Sequence, residues 1–160
     1  MATDLKFFTV SQIDLMTAVL DRIIPADGVM PGAGTIAVDF LDDVVGASSA
    51  LKRNFGVGLS ELEAQAQVAC GNDFINLSDD DKDEVLRQIE AAHPEFFEAL
   101  VRQTYDGYYS NSRILQALGL EARPPQPRGH RLERGNVELI ENVKKRGIAY
   151  RDVRASNIEQ

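Results

Sequence analysis

Apolar residues recur at helical spacing along most of the chain, and glycines and prolines fall where one such run must stop and the next begin. Ile13, Leu15, Met16, Val19, Leu20 and Ile23 share one broad face of a helix that Thr9 or Ser11 can cap. Pro25 ends it, and Ala26-Asp27-Gly28-Val29-Met30-Pro31-Gly32 reads as a turn-rich loop. Thr35 caps a second helix over 36–45, with Asp39, Asp42 and Asp43 expected on its wet side and Gly46 at its end. A third starts near Ser48, is interrupted at Gly56-Val57-Gly58, and resumes over 59–69 until Gly71 terminates it. Ser78 before Asp79-Asp80-Asp81 marks a fourth start: a hydroxyl caps free N–H groups, and acidic side chains suit the positive end of the helix dipole. Val85, Leu86 and Ile89 continue it.

His93-Pro94 opens a fifth helix, because the N–H that proline lacks has no helical partner at the first position anyway. Phe96, Phe97, Leu100 and Val101 supply its apolar face, and Gly107 is expected after its last turn. A short sixth helix runs from Asn111 or Ser112 through Ile114, Leu115 and Leu118 to Gly119. No run alternates as a half-buried strand does. The fold class is therefore all-α, a compact multi-helix domain over residues 1–119.

Residues 120–160 are of another composition. Over 119–135 the chain carries half of its six prolines and four arginines against two glutamates, which favours an extended, proline-stiffened backbone. Asn136 can cap a last helix with Val137, Leu139, Ile140 and Val143 as apolar positions and Lys144-Lys145-Arg146 near its C-terminus. The net charge of −8 hides this division. Residues 1–120 hold 8 Lys/Arg and 19 Asp/Glu, giving −11, whereas residues 121–160 hold 9 and 6, giving +3. An acidic body thus carries a basic, Pro/Arg-rich arm. The acidic body argues against nucleic acid as a partner, since phosphate contacts need a surplus of Lys and Arg. No apolar run approaches the ~20 residues of a membrane span, so no direct membrane insertion is expected. The first residues show neither a basic n-region with an apolar stretch nor an Arg-Arg pair, so a cytoplasmic location is the expectation. A periplasmic one would require export with a partner.

Motifs that carry chemistry are few. Gly32-Ala-Gly34-Thr-Ile-Ala37 has the form of a dinucleotide fingerprint, but that motif needs a preceding buried strand, and Val-Met-Pro precedes this one. The acidic run 79–84 lacks the glycine and the bidentate glutamate of a calcium loop, so it reads as a solvated helix start. His93 and His130 are too few for a catalytic zinc site without distant carboxylates, and no metal site is expected. His93, at a helix junction, reads as structural; His130, in the basic stretch, suits a contact role. Cys70 cannot form an intramolecular disulfide, being alone, and is expected as a small packed thiol. No nucleophile elbow, phosphate-binding loop or paired-carboxylate motif occurs.

Two features have the character of contact surface. Tyr105-Asp-Gly-Tyr108-Tyr109 sets three tyrosines in five residues, and tyrosine joins large apolar area to a polar tip. The same cluster can equally be core at a helix turn. The second feature is the arm with Arg123, Arg128, His130 and Arg131, whose Pro124-Pro-Gln-Pro127 is pre-extended and so lowers the ordering entropy of an embrace.

The chain also resembles a known family. Phe8-Thr9 opening a helix, Asp21-Arg-Ile-Ile-Pro25-Ala-Asp27, Pro31-Gly32-Ala33, and Asp39-Phe-Leu-Asp42 are similar to the gluconate 2-dehydrogenase subunit 3 pattern. Gly58-Leu-Ser-Glu-Leu62, Phe74-Ile-Asn-Leu77-Ser78, Phe96-Phe97 and Thr104-Tyr-Asp-Gly-Tyr-Tyr-Ser110 extend the resemblance over residues 7–112. It implies a small helical subunit that associates with a large flavin-dependent sugar or polyol dehydrogenase of the glucose-methanol-choline class. FAD and the hydride chemistry are then expected in that partner, and the small subunit would assist its maturation, stability or export. This chain departs from the pattern after Ser110, where relatives read Asp-Pro and a Gly-rich stretch, and in lacking the twin-arginine signal of exported members.

The resulting expectation is a non-catalytic subunit that binds its large partner through Tyr105, Tyr108, Tyr109, Arg123, Arg128, His130 and Arg131. It would hold no cofactor itself. Two alternatives belong to other classes: a free-standing sugar-acting enzyme using His93, His130 and scattered aspartates, and a homo-oligomeric binding protein.

Overall fold

The computed structural model describes residues 5–122 and 140–147, and the chain divides into two units, Met1–Pro124 and Pro125–Gln160. The first unit is built of helices α1 (Val10–Ile23), α2 (Ala33–Ala47), α3 (Ser49–Cys70), α4 (Asp79–Ala92), α5 (Pro94–Ser110) and α6 (Ser112–Ala117). One 3-10 turn, Phe74–Asn76, joins α3 to α4. Among the described residues there is no strand, and the all-α expectation is met.

The helix starts follow from local chemistry. Thr9 and Gln12 form a reciprocal capping box at α1: the Gln12 N–H donates to Thr9 Oγ1 at 3.3 Å, and the Thr9 N–H donates to Gln12 Oε1 at 2.9 Å. Ser48 caps α3, Ser78 caps α4, and Pro94 takes the first position of α5. In the second unit the described helix is α7 (Glu141–Lys145), where Lys144 Nζ lies 3.2 Å from Glu141 Oε1. The expected cap Asn136, with Val137 and Leu139, lies outside the described residues.

Within the first unit α2 is central, packing on α1, α3 and α5, while α4 packs on α3 and α5. Met16, Val19 and Leu20 of α1, Leu41 and Val45 of α2, Phe55 and Leu62 of α3, and Leu100 of α5 are fully buried. Phe8, Phe55 and Phe96 run through this core edge to face, with ring centroids 6.3 Å and 5.3 Å apart. That geometry sets the positive ring edge of one against the negative face of the next.

Five expectations need correction. Helix α2 begins two residues before Thr35, at Ala33, because its start is capped from another helix. Helix α3 is unbroken through 56–58, since Gly58 is there for a close crossing: a Cβ would run into the Phe96 ring of α5. Gly107 lies inside α5, where a Cβ would come within 2.7 Å of the Phe40 ring and 3.1 Å of Ala37. Both glycines cost helix propensity of about 1 kcal/mol each, which close helix packing offsets. Cys70 is exposed, because the last buried residue of α3 is Ala66 and the final turn overhangs the core.

The fifth correction concerns Asp42, which is 2% exposed while its neighbours Asp39 and Asp43 face solvent. Its carboxylate accepts the backbone N–H groups of Lys6 (2.6 Å), Phe7 (3.0 Å) and Phe8 (2.8 Å). The segment before α1 crosses α2 there, over Gly46, and drops Phe8 into the core. Those three donors precede the helix and have no helical partner, and the Asp42 carboxylate satisfies them, including the buried Phe8 N–H. Position 42 follows Val38 and Leu41 on the buried stripe of α2, and this is the periodic signal that marks it as an inward residue.

Asp42→Ala should therefore cost at least about 3 kcal/mol, as it strands several donors at once. Asp43→Ala, which removes only an exposed pair with Lys6 at 2.8 Å, should cost under about 1 kcal/mol. Urea denaturation of the two variants checks the contrast.

Candidate partner-binding surface

The surface is organised by the turn between α1 and α2. The Asp21 carboxylate, in the last turn of α1, accepts the Gly34 N–H at 2.7 Å, and the Ala33 N–H donates to the Ile24 carbonyl at 2.9 Å. An anion thus sits at the positive end of α2. A Cβ at Gly32 would strike the Asp21 carboxylate, and one at Gly34 would strike the Thr17 carbonyl oxygen. The glycines of the fingerprint-like stretch therefore serve helix crossing. The place a phosphate takes in a dinucleotide site is filled here by the protein's own carboxylate.

Inside the loop, Asp27 Oδ1 accepts the N–H groups of Met30 (2.8 Å) and Val29 (3.1 Å), which hold its carboxyl below the usual range. The next residue but three, Pro31, offers its carbonyl to the Tyr108 hydroxyl at 2.8 Å. That bond registers the C-terminal end of α5 against the loop. Burial pushes the Tyr108 phenol above its ordinary value.

The tyrosine cluster is consequently split between the two roles open to it. Tyr108 is 2% exposed and belongs to the core, whereas Tyr105 and Tyr109 are 45% and 46% exposed. Tyr105 and Tyr109 stack with centroids 5.8 Å apart, and Tyr109 meets Tyr108 edge-on at 5.1 Å. A buried tyrosine thus supports an exposed pair. The helix repeat explains the split, since Tyr105 and Tyr109 are one turn apart while Tyr108 continues the row of Leu100 and Thr104.

Tyr105 also stands at the end of a groove of about 340 Å³ between the end of α1, α4 and α5. Apolar Ile23, Leu86, Phe97 and Val101 line it together with charged Arg22, Asp83, Arg87 and Glu90. Arg22 bridges α1 to α4: its Nε and Nη2 donate to the two Asp83 oxygens at 2.7 and 2.9 Å, and Nη1 lies 2.7 Å from Asp79. The bond to Arg22 holds the Asp83 carboxyl low, and the same contact raises Arg22. Sequence reading missed this groove, because α1, α4 and α5 are brought together only by the fold.

A second groove, of about 670 Å³, lies between α3 and the α4–α5 junction and is bordered by Arg53, Asn54, His93 and Glu95. Its polar groups are in part engaged: Asn54 Nδ2 donates to the Glu95 carbonyl at 3.2 Å, and His93 Nε2 lies 3.8 Å from Glu61. Arg123, Arg128, His130 and Arg131 lie outside the described residues. Among the described residues no group of three or more His, Cys, Asp or Glu is placed to hold a metal ion. Among those residues, too, no helix is long and apolar enough to cross a membrane.

Asp83→Asn should cost about 1 kcal/mol at neutral pH, a modest figure because Asp83 is about a third exposed and solvent screens the pair. The folded pKa of Asp83 lies below its unfolded value of about 4. Its contribution is therefore present above that pH and lost as pH falls through the lowered folded value. Urea midpoints of the two proteins measured across the acid range should converge there.

Against known proteins, the family model described as gluconate 2-dehydrogenase subunit 3 matches residues 10–119. No curated protein and no solved structure matches the chain.

Proposed function

The chain belongs to the gluconate 2-dehydrogenase subunit 3 family, and from that membership we propose that it is the non-catalytic small subunit of a large flavin-dependent carbohydrate dehydrogenase. In this reading the partner holds FAD and performs hydride transfer from the sugar or polyol. The small subunit stabilises or matures it by contact.

The observation that carries the reading is the exposed Tyr105–Tyr109 stack, seated on buried Tyr108 beside an apolar groove. Rigid, half-exposed aromatic side chains lose little entropy on binding and are enriched where association energy concentrates. Four of the polar residues by which the chain resembles its family are spent on bonds within the chain. Asp21 caps α2, Arg22 ties α1 to α4, Asp27 closes the loop, and Asp42 holds the segment before α1. They support a framework, and the tyrosine pair is what that framework presents.

Tagged chain isolated from its native cell should carry a large protein with the visible absorbance of bound flavin. Tyr105→Ala with Tyr109→Ala should weaken that association by at least roughly thirtyfold, about 2 kcal/mol, while the isolated chain keeps its helical fold and a cooperative thermal transition. A native homo-oligomer without flavin absorbance would overturn the proposal, as would sugar oxidation by the isolated chain.

A further inference from the structure

We infer that the groove between α4 and α5 receives an amphipathic helix of the partner whose flanks carry Lys and Arg. The inference rests on the accessory-subunit reading and specifies which surface is used and what chemistry occupies it.

Helix α5 has more apolar surface than its own domain buries. Phe96, Leu100, Thr104, Gly107 and Tyr108 face the core. Beside them Phe97, Val101, Tyr105 and Tyr109 follow one another at intervals of four residues, the first two half-buried and the last two exposed. Residues spaced by four form a continuous ridge, here about 18 Å long at 1.5 Å per residue. A surface helix in a self-sufficient domain shows one apolar stripe and a polar back. This one shows a second row, and the groove lies along its first three members.

The shape selects the occupant. Helices α4 and α5 have no unpaired backbone edge along their length, so an extended peptide cannot add to them by main-chain hydrogen bonds. A ridge of residues at i, i+4, i+8 and i+12 packs instead into the groove between side-chain rows of another helix. About three turns of that helix would span it.

The charge selects the flanks. The cations around the groove already have carboxylate partners: Arg22 has Asp83 and Asp79, Arg87 has Glu84, and Arg102 lies 3.9 Å from Asp106. Glu90 lines the groove, and Glu98 lies seven residues before Tyr105, two turns along the same face of α5. Neither is in an ion pair among the described residues. The uncompensated charge beside the apolar ridge is therefore negative, and the whole of residues 1–120 is negative by 11 charges. An occupant with basic flanks relieves that repulsion, and an acidic one adds to it.

The test uses the full chain in its native complex. Glu90→Lys with Glu98→Lys should weaken association with the flavoprotein about tenfold and reduce its salt dependence, whereas Glu63→Lys on the exposed side of α3 should change neither. A photoactivated benzoylphenylalanine in place of Val101 should crosslink to a flavoprotein segment whose apolar residues recur every three or four positions between Lys and Arg. Normal affinity in the charge variants, with crosslinks to an acidic or extended segment, overturns the inference and leaves the accessory-subunit reading standing. Crosslinks between two copies of this chain also overturn it. Isolation of the chain without any flavoprotein overturns that reading and the inference together.

Discussion

One carboxylate, that of Asp21, governs how the first unit closes. It stands in the last turn of α1 and caps α2, while the Ala33 N–H donates to the Ile24 carbonyl, so the first donors of α2 are satisfied from the end of α1. The reversal brings α1 and α2 close enough that only glycine fits at 32 and 34. The turn then offers the Pro31 carbonyl to Tyr108, which registers α5. Arg22, adjacent to Asp21, reaches the other way to Asp83 and Asp79 and registers α4. Two neighbouring residues of opposite charge thus fix the helices that form the groove. The exposed tyrosines inherit their position from this arrangement.

What the sequence made legible was local. A cap is a matter of three or four residues, so Thr9, Ser78 and Pro94 announced their helices, and the helical period announced the fold class. What stayed hidden depended on residues far apart in the chain. Gly58 and Gly107 look like breakers until the rings of Phe96 and Phe40 are known to lie over them. Asp42 looks like one of three wet aspartates until the segment before α1 is found crossing above it. The start of α2 is hidden for the same reason, because its cap belongs to α1.

The candidate site divides along the same line. That three tyrosines gather near the end of α5 is written in five consecutive residues, but which of them is core depends on where Pro31 lies. The helix repeat separates Tyr108 from Tyr105 and Tyr109, and the loop hydrogen bond decides which side is inward. The groove beside them was not legible at all, since Ile23, Leu86 and Phe97 come from three helices.

These polar side chains bear on how such a subunit could act. A catalytic group must be free to change its bonding during a reaction, whereas Asp21, Arg22, Asp42 and Tyr108 each hold a bond that a helix junction depends on. Spending such residues on junctions yields a rigid scaffold. A rigid scaffold is what an exposed aromatic pair needs, because a stack that must first be ordered gives up part of its binding energy to entropy. Tyr108 joins the two halves of this logic: its hydroxyl secures the turn, and its ring packs against Tyr109. Surface and framework are consequently coupled, and a change that loosens the α1–α2 turn should disturb the proposed partner contact without touching a residue on the surface itself.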